Sequence, residues 1–347
     1  MKGPMSAPAT IAGPPASLPA LPLHDLRGEI SPPLALIGRE RARLDRLVAL
    51  ARRSYGAPLV AVADRVSRRW LARNTTPYHD EIVALAERMN VRGAYFLNVS
   101  FEWSCTCGIA PAPDGEGMCL LRVLDWPLPG LGRELVAVRQ SGPAGDFLSL
   151  TWPGFIGAVT ALAPGRFAAA LNQAPVPRHG MGFHGDWAVE RLAVWKSREP
   201  PPMHLLRQVL ENCGSYGEAR HALTHSPISV PALYSLAGPR PGEGCVIERE
   251  RAAARIHEAP VAAANHWLSD DLSGHARGRS SRERAALMAR LHTAPDPGDP
   301  ARKGFAWLAP PILNPTTRVV CEMTPAGGLL RAQGWEADGP ATAVMVL

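Results

Sequence analysis

Three side chains with complementary chemistry lie close together in the sequence: Cys105, Arg122 and Asp125. A cysteine attacks as its thiolate, and near neutral pH a thiol needs a neighbouring base or cation to reach that form. The eleven histidines are scattered, and none stands in a motif that would pair it with Cys105. If the chain were cut after Ser104, the freed α-amine of Cys105, with an ordinary pKa of about 7.7 to 8.0, could serve as the base for its own thiol. These residues therefore indicate chemistry that breaks an amide bond.

An ordered series of sequence blocks surrounds these three residues, from about Asp80 to the region of Arg284. The blocks are Asp80-Glu81-Ile82 through Asn98 and Glu102, Cys105-Thr106, Arg122 with Asp125, 152–157, 164–167, Leu171-Asn172, 242–247 and 264–267. In this order they resemble the cysteine N-terminal-nucleophile (Ntn) hydrolases of the acid ceramidase and N-acylethanolamine acid amidase type. Choloylglycine hydrolases, penicillin V acylases and penicillin-forming acyltransferases are more distant relatives that use the same kind of N-terminal nucleophile.

The resemblance implies a fold and a reaction. The fold is α+β, the four-layer αββα sandwich of Ntn hydrolases. The expected protein is a precursor that cleaves itself before Cys105 and then hydrolyses a linear, non-peptide N-acyl amide through an S-acyl enzyme. The expected partner is a small-molecule N-acyl amide, and the two pieces of the cleaved chain are expected to stay associated. No cofactor or metal is implied.

The resemblance also implies roles for individual residues. Arg122 would lower the pKa of the Cys105 thiol, and Asp125 would hold the α-amine by a charge-assisted hydrogen bond. Both charged residues flank or interrupt an apolar run, 118–124, where a surface ion pair would be out of place. Asn265 would donate to the oxyanion of the tetrahedral intermediate. Asn172 would lie at the substrate carbonyl.

Two assignments have competitors. Cys107 lies two residues after Cys105 and would share its strand face. Counting forward from Glu102 favours Cys107 as the nucleophile, whereas the Cys-Thr dipeptide favours Cys105. The late arginine of the family site falls in a stretch crowded with arginines, and we assign it to Arg282, with Arg279 as the next choice.

The sequence departs from the family pattern at two places. Cys107 stands where the family often has Ser, and Gln173-Ala174 replaces a Glu-Arg pair, which would change the choice of substrate. The segment 126–131 is a rigid, apolar loop directly after Asp125. Trp126 is therefore a candidate to line an acyl pocket, although a packed turn would explain the same residues.

Composition agrees with an enzyme of one large domain or two small ones. The 347 residues are 46% hydrophobic, enough to bury a sizeable core. The formal net charge is +6, but the basic residues are dispersed, so a nucleic-acid partner is not expected. The six cysteines show no CxxC spacing, and no stretch approaches the roughly 18 apolar residues that span a bilayer. A cytoplasmic, reducing setting is the prediction.

The chain divides into three predicted segments: a disordered, Ala/Pro-rich lead-in over 1–22, a helical segment over 23–104 and a catalytic domain over 105–347. The helical segment contains a helix that starts at Thr76-Pro77 and ends near Asn90. In the catalytic domain, helices are expected over 203–212, 216–224 and 281–291. Strands are expected over 118–124, 135–139, 147–152, 155–162, 167–172, 232–236, 245–248, 259–265, 318–323 and 341–347.

Two other function classes remain open from the sequence. An acyltransferase on the same fold would pass the acyl group to an amine instead of water, and only its products would distinguish it. A non-catalytic binding protein would keep the fold, with an uncleaved chain and an unreactive Cys105.

Overall fold

The computed structural model describes residues 17–90, 92–99, 103–291 and 305–347. The helices formed by these residues are α1 (Pro32–Arg39), α2 (Arg41–Tyr55), α3 (Ala57–Leu71), α4 (His79–Met89), α5 (Ala94–Leu97), α6 (Gly182–Lys196), α7 (Pro202–Asn212), α8 (Tyr216–His225) and α9 (Ser281–Leu291), with one 3-10 helix at Leu131–Glu134. The strands of the first half are β1 (Leu23–Asp25), β2 (Ser104–Pro111), β3 (Met118–Asp125), β4 (Val136–Gly142), β5 (Gly145–Thr151), β6 (Thr160–Ala163), β7 (Phe167–Gln173) and β8 (Val176–Pro177). Those of the second half are β9 (Ala232–Ala237), β10 (Gly244–Arg249), β11 (Ala254–Glu258), β12 (Val261–Ala263), β13 (Gly274–His275), β14 (Thr317–Thr324), β15 (Leu329–Glu336), β16 (Gly339–Pro340) and β17 (Met345–Val346).

Two large sheets pack face to face. The first has the strand order β1-β4-β5-β6-β7-β9-β10-β11, and the second has the order β12-β2-β3-β14-β15-β16, with β17 beside β15. Strands β2 and β3 of the second sheet contact β7 and β9 of the first. Helices α7 and α8 cover the first sheet, and α9 lies against β2 and β12 of the second. This arrangement confirms the predicted α+β, four-layer αββα sandwich.

The central strand β7 shows why the sequence builds stacked layers. All seven of its residues are buried, and Ala168, Ala169 and Ala170 are completely inaccessible to solvent. A strand covered on both faces must be apolar on both faces, so its sequence reads as a continuous apolar run instead of an alternation. Asn172, near the end of β7, is therefore a polar residue in an interior position and needs buried partners.

The described residues of the segment 23–104 form mainly helices. In α4, Ile82, Leu85 and Met89 are buried at helical spacing, and the helix ends at Asn90 with a left-handed φ of 51°. The predicted disordered lead-in is described only in part: residues 1–16 lie outside the described residues, and 17–22 have no regular structure. Residues 17–20 are exposed, and packing begins at Leu21. Leu21 is buried in the main core, and the carbonyl of Pro22 accepts a hydrogen bond from the Ala137 N–H at 2.8 Å.

Several predicted strands are shorter than expected. The strand predicted over 155–162 is β6, which begins only at Thr160, because Gly154 turns the chain with a φ of 92° and the Ile156 N–H donates to Asn98 Oδ1 instead of to a strand. Likewise the prediction over 259–265 shrinks to β12, and the one over 341–347 shrinks to β17.

Helix α6 was not predicted, because its acidic residues face the interior and its large apolar residues face solvent, the reverse of the usual arrangement. Its buried residues are the acidic Asp186 and Glu190, whereas Phe183, Trp187 and Leu192 are exposed. A hydrogen bond between Asp186 and His275 and an ion pair between Glu190 and Arg251 hold the acidic face, so an apolar stripe does not mark the helix. None of the helices in the described ranges combines the length and apolar character that a bilayer crossing requires.

Candidate active site

Cys105 lies where strand β2 leaves its regular pairing. On one side, β3 places Leu124 opposite Cys105 and Asp125 opposite Ser104. On the other side, the β12 pairing ends at Ala263 opposite Cys107, so it does not reach Cys105. The Cys105 backbone N–H donates instead to the side-chain Oδ1 of Asn265 at 2.7 Å. One amide nitrogen is thus held by a side chain and not by the sheet.

The guanidinium of Arg122 lies against both candidate thiols. Its Nη2 is 3.1 Å from Cys105 Sγ, and its Nη1 is 3.3 Å from Cys107 Sγ. The same group donates to Thr160 Oγ1 at 2.8 Å and to Asn172 Oδ1 at 2.6 Å. Burial lowers the pKa of Arg122, but the neighbouring Cys105 and Cys107 outweigh burial, so the pKa is raised and the group stays charged. Since its hydrogen-bond partners are neutral, the positive charge is available to a thiolate.

The Cys105 thiol itself is poorly ionised in this structure. Its side chain is fully buried, and burial raises its pKa to about 12, with Arg122 opposing the shift. No histidine contacts Cys105 among the residues that the structure describes. The thiol therefore has a cation beside it but no base, as the sequence indicated.

Asp125 is buried at the same end of the strand pair. Its Oδ1 accepts a hydrogen bond from the Thr317 hydroxyl at 2.9 Å, and its Oδ2 lies 3.7 Å from Arg284 Nη1. Within the described part of the chain, Oδ2 has no hydrogen-bond partner. Burial raises the pKa of this carboxyl, with the nearby Arg284 opposing the shift. Asp125 therefore offers an unused acceptor opposite Ser104.

Arg284 takes the place that the sequence assigned to Arg282, so that prediction is wrong. Helix α9 buries Ser281, Arg284, Ala285 and Met288 on one face, and Arg282 points to solvent on the other. Arg284 Nη1 donates to the Cys105 carbonyl at 2.5 Å and to the Thr106 hydroxyl at 2.6 Å.

The second choice, Arg279, joins the site through its backbone instead of its side chain. Its carbonyl accepts from Arg284 Nε at 2.9 Å. Helical spacing was the signal that could have found Arg284, because position 284 is in register with Ala285 and Met288 on the apolar side of α9. The order of the arginines along the chain, taken without this register, does not separate them.

Asn265 and Asn172 both join the site, each with its amide already engaged. The Oδ1 of Asn265 also accepts from Arg284 Nη2 at 3.1 Å, and its Nδ2 donates to the Gln173 carbonyl at 2.8 Å. Asn172 contacts Arg122 and Cys107 through Oδ1 and donates from Nδ2 to the Ala264 carbonyl at 3.1 Å. In the uncut chain Asn265 therefore holds the Cys105 nitrogen through its oxygen, while its N–H group faces elsewhere.

A narrow apolar cavity of about 50 Å³ adjoins the Cys105 end of β2. Trp126 forms part of its wall, with its ring 5.2 Å from that of Trp103 and 6.2 Å from that of Trp152. Leu124, the cross-strand partner of Cys105, is another wall residue. The remaining lining residues are Leu47, Ala51, Leu97, Leu128, Leu131, Pro153, Gly154, Phe155 and Val159. The predicted segments 23–104 and 105–347 both contribute to this wall.

No cluster of three or more His, Cys, Asp or Glu side chains suited to a metal ion occurs in the described ranges. The site that the structure assembles consists instead of two thiols, two buried arginines, one carboxyl and two amides.

Comparison with known proteins yields partial sequence matches. No family model matches the chain. An acid ceramidase of Bos taurus is 36% identical over 110 residues, which make up 30% of this chain and 25% of the ceramidase. An N-acylethanolamine-hydrolyzing acid amidase of Mus musculus is 27% identical over 203 residues, 57% of this chain and 51% of the amidase. The chain thus spans about a quarter to a half of the length of these relatives.

Similar solved structures include the N-acylethanolamine-hydrolyzing acid amidase ortholog of Caenorhabditis elegans, with 20% identity and a TM-score of 0.45 over 70% of this chain and 100% of the ortholog. A penicillin V acylase from Agrobacterium tumefaciens has 12% identity and a TM-score of 0.42 over 66% of this chain and 83% of the acylase. The sequence matches agree with the resemblance drawn from the residues: the chain is similar in sequence to acid ceramidases and to N-acylethanolamine-hydrolyzing acid amidases.

Proposed function

We propose that this chain is a self-processing cysteine amidohydrolase, which cleaves itself before Cys105 and then hydrolyses a linear N-acyl amide. One observation carries the proposal. The Cys105 sulfur lies 3.1 Å from a buried guanidinium, and the nitrogen of the same residue lies 2.7 Å from the Asn265 amide oxygen. The two atoms that an N-terminal nucleophile uses, its sulfur and its nitrogen, are thus each held by a separate side chain.

Self-cleavage begins with attack of the Cys105 sulfur on the Ser104 carbonyl carbon. A new C–S bond forms, the Ser104–Cys105 C–N bond breaks, and the thiol proton ends on the departing nitrogen. Water then hydrolyses the thioester, which leaves a carboxylate on Ser104 and restores the thiol. Arg284 holds the Cys105 carbonyl and Asn265 holds its nitrogen, so the residue that bears the nucleophile stays fixed while the bond breaks.

Cys105 is favoured over Cys107 by the pairing of β2. Cys107 is paired on both sides, with Ala263 of β12 and with Arg122 of β3. Cleavage before Cys107 would therefore cut the middle of a three-stranded ladder. Cys105 lies just beyond the end of β12, where only one neighbour is lost.

In turnover, the new α-amine takes the proton of the Cys105 thiol and supplies the base that is missing in the uncut chain. The unused Oδ2 of Asp125 would accept a hydrogen bond from that amine, and Arg122 would stabilise the thiolate. The thiolate attacks the substrate amide, the amine leaves, and water releases the acyl group. For Asn265 to donate to the oxyanion, its amide must turn away from the Gln173 carbonyl after cleavage.

The substrate class follows from the cavity and the relatives. Three tryptophans and several aliphatic side chains form a wall without a charged residue. Such a wall suits an apolar acyl group, and it starts at the cross-strand neighbour of Cys105. The related proteins are named for ceramide and for N-acylethanolamines, both N-acyl amides. We therefore assign a linear amide with an apolar acyl part, with the acyl group in this cavity.

Contacts between the two pieces that cleavage would produce support their continued association. Arg207 of α7 donates to Glu81 of α4 at 2.5 Å, and the Tyr78 hydroxyl donates to Glu211 at 2.6 Å. Arg207 is largely buried, and its guanidinium carbon lies 4.2 Å from the centre of the Tyr78 ring. Breaking the backbone at Ser104 removes none of these contacts.

The test is the covalent state of the purified protein. Intact-mass measurement should find two chains, and N-terminal sequencing of the larger should begin at Cys105. Cys105→Ala should give a single full-length chain without amidase activity. A start at Cys107 would transfer the nucleophile role, and an intact chain that is nonetheless active would overturn the mechanism.

The substrate class is tested by measuring release of amine and free acid from N-acylethanolamines, ceramides, N-acyl amino acids and penicillin V. Processed protein should hydrolyse at least one amide with an apolar acyl chain. Activity restricted to peptides would contradict the assignment. Transfer of the acyl group to an added amine, without free acid, would identify an acyltransferase.

A further inference from the structure

The loop before α9 passes directly over the residue whose peptide bond is to be cut. Gly278 of this loop has a φ of +68°, and a Cβ placed on it would lie 2.6 Å from both the Cβ and the Oγ of Ser104. The next atom, Arg284 Nη2, would be 3.2 Å away. The Ser104 Oγ could rotate away from such a methyl group. The Ser104 Cβ could not, because it is attached to the backbone.

The loop cannot easily retreat, because it is fixed on both sides of Gly278. The Arg277 N–H donates to the Asn265 carbonyl at 3.0 Å, and Arg277 Nε donates to the Ala174 carbonyl at 2.9 Å. On the other side, the Arg279 carbonyl accepts from Arg284 Nε at 2.9 Å. Two of these anchoring residues, Asn265 and Arg284, also hold the backbone of Cys105. The loop and the reacting residue therefore share one frame.

We propose that Gly278 is a positioning residue for self-cleavage, whose missing side chain lets this loop hold Ser104 in the place where the Cys105 sulfur can attack it. The inference rests on the proposed function and concerns its first step. An alanine at 278 would have to increase the contact with Ser104 from 2.6 Å to the 3.4 Å of an ordinary contact, so the loop or the backbone of Ser104 must shift. A displacement of about 1 Å can cost a reaction about 10²-fold in rate, because attack requires a near-contact geometry.

The effect should be confined to the precursor. Once the Ser104–Cys105 bond is broken, Ser104 is the free carboxyl end of the N-terminal piece and can yield to a methyl group at 278. The three atoms nearest to such a methyl group belong to Ser104 and Arg284, and none of them is the Cys105 thiol or part of Arg122. Gly278 therefore matters for making the active site and not for using it.

The experiment compares Gly278→Ala with a matched control, Gly182→Ala. Gly182 has a φ of +72°, and a Cβ placed on it would meet no atom within 4 Å, so alanine brings the same backbone strain there without the contact. Each chain is made by cell-free translation with labelled methionine, and its conversion to two pieces is followed by gel after synthesis is stopped. Gly278→Ala should cleave about 10²-fold more slowly than wild type. Gly182→Ala should stay within about threefold of it.

A rescue variant separates the contact from general damage to the fold. Ser104→Gly removes the two atoms that lie 2.6 Å from the new methyl group and leaves only the flexible end of Arg284 at 3.2 Å, so Ser104→Gly/Gly278→Ala should cleave nearly as fast as Ser104→Gly alone. After complete processing, Gly278→Ala should react with iodoacetamide at Cys105 as fast as wild type at pH 7.

Equal cleavage rates of Gly278→Ala and Gly182→Ala would overturn the inference alone. A double variant as slow as Gly278→Ala would also overturn it, as would slow alkylation of the processed Gly278→Ala protein, since both outcomes indicate general disruption. Wild-type protein that stays uncut would overturn the proposed function, and the inference with it. The two failures are thus distinguishable.

Discussion

At the scale of single residues, the proposed nucleophile, Cys105, is a buried thiol. Burial raises the Cys105 pKa to about 12, and Arg122, 3.1 Å from the sulfur, only reduces that effect. What the thiol lacks is a base. Cleavage before Cys105 would supply one, because it would release the Cys105 nitrogen as an amine. In the proposed mechanism the Oδ2 of Asp125, which belongs to the residue paired with Ser104 across the strands, accepts a hydrogen bond from that nitrogen after cleavage.

Arg122→Leu should slow alkylation of Cys105 in the processed protein. Removing a cation beside the sulfur raises the thiol pKa by about 1 to 3 units, so the thiolate fraction at pH 7 falls about tenfold or more. The rate of iodoacetamide reaction measured from pH 6 to 10 should show its midpoint moving to higher pH. Arg122→Lys, which keeps the charge, is the control and should shift less. An unmoved midpoint in the Leu variant would show that Arg122 does not act on the thiol.

Asp125→Asn should stop turnover without loss of stability at neutral pH. The pKa of this carboxyl is raised above 3.8 in the folded chain, so the stability it contributes is full below about pH 3.8 and is lost as pH rises through the folded value. Relative to the Asn variant, the Asp protein should therefore become less stable as pH rises above about 4. Chemical unfolding in a Cys105→Ala background measures this without cleavage. A clear loss of stability in the Asn variant at pH 7 would mean that the charge pair with Arg284 outweighs burial.

At the scale of secondary-structure elements, the site depends on where strands stop. Strand β12 ends opposite Cys107, and the segment that follows supplies Asn265 to the unpaired N–H of Cys105. Helix α9 then packs against β2 and β12 and directs Arg284 into the gap. The functional groups occupy the places that strand pairing leaves empty. The buried face of α9 is consequently part of the site.

Arg284→Leu and Arg282→Leu should differ strongly, although the two residues are two positions apart in one helix. Arg284 is buried and binds Cys105, Thr106 and Asn265, so its removal should block self-cleavage. It also leaves the buried Cys105 carbonyl and Thr106 hydroxyl without their hydrogen-bond donor, so the variant should unfold at a lower urea concentration than wild type. Arg282 is exposed, and its variant should process and unfold like wild type. Gel analysis and urea unfolding measure both effects, and loss of processing in Arg282→Leu alone would reverse the assignment.

At the scale of the whole molecule, the N-terminal helices and the sandwich behave as one packed body despite the expected cut between them. Helices α4 and α7 share the buried ion pair between Glu81 and Arg207, and Arg207 also pairs with Glu211 within α7. The apolar cavity has walls from both pieces. Loss of the N-terminal piece would therefore open the cavity as well as expose the core.

Arg207→Ala should weaken the association of the two pieces after processing. Removing it leaves two carboxylates without their cation, a change worth up to about 3 to 5 kcal/mol for a buried group. The control is Arg133→Ala, whose ion pair with Asp338 is exposed and worth about 0 to 1 kcal/mol. Processed protein is analysed by size-exclusion chromatography at increasing urea concentrations. The two pieces of Arg207→Ala should separate at a lower urea concentration than those of the control. If both variants separate at the same urea concentration, the ion pairs of Arg207 do not contribute to the association of the two pieces.

The sequence by itself predicted the type of fold and most of the side chains that the structure brings together around Cys105. Cys105, Arg122, Asp125, Asn172 and Asn265 were found from residue type and order, because family chemistry fixes those side chains and short apolar runs fix the strands that carry them. Helix α9 was predicted with the same bounds as observed, 281–291, since its residues have a helical pattern. The lengths of β6, β12 and β17 were overestimated, because an apolar run does not show where a turn takes over the backbone hydrogen bonds.

Only the tertiary structure decided which arginine enters the site, what the unpaired Cys105 N–H binds, and that Gly278 lies on Ser104. These are contacts between segments that are about 160 to 180 residues apart, and they depend on distances of a few tenths of an ångström. Local propensity and apolar periodicity describe neighbours along one element. They carry no information about which face of a distant helix, or which loop, fills the space at the end of a strand. That choice depends on packing of the four layers, which becomes definite only when the whole chain is folded.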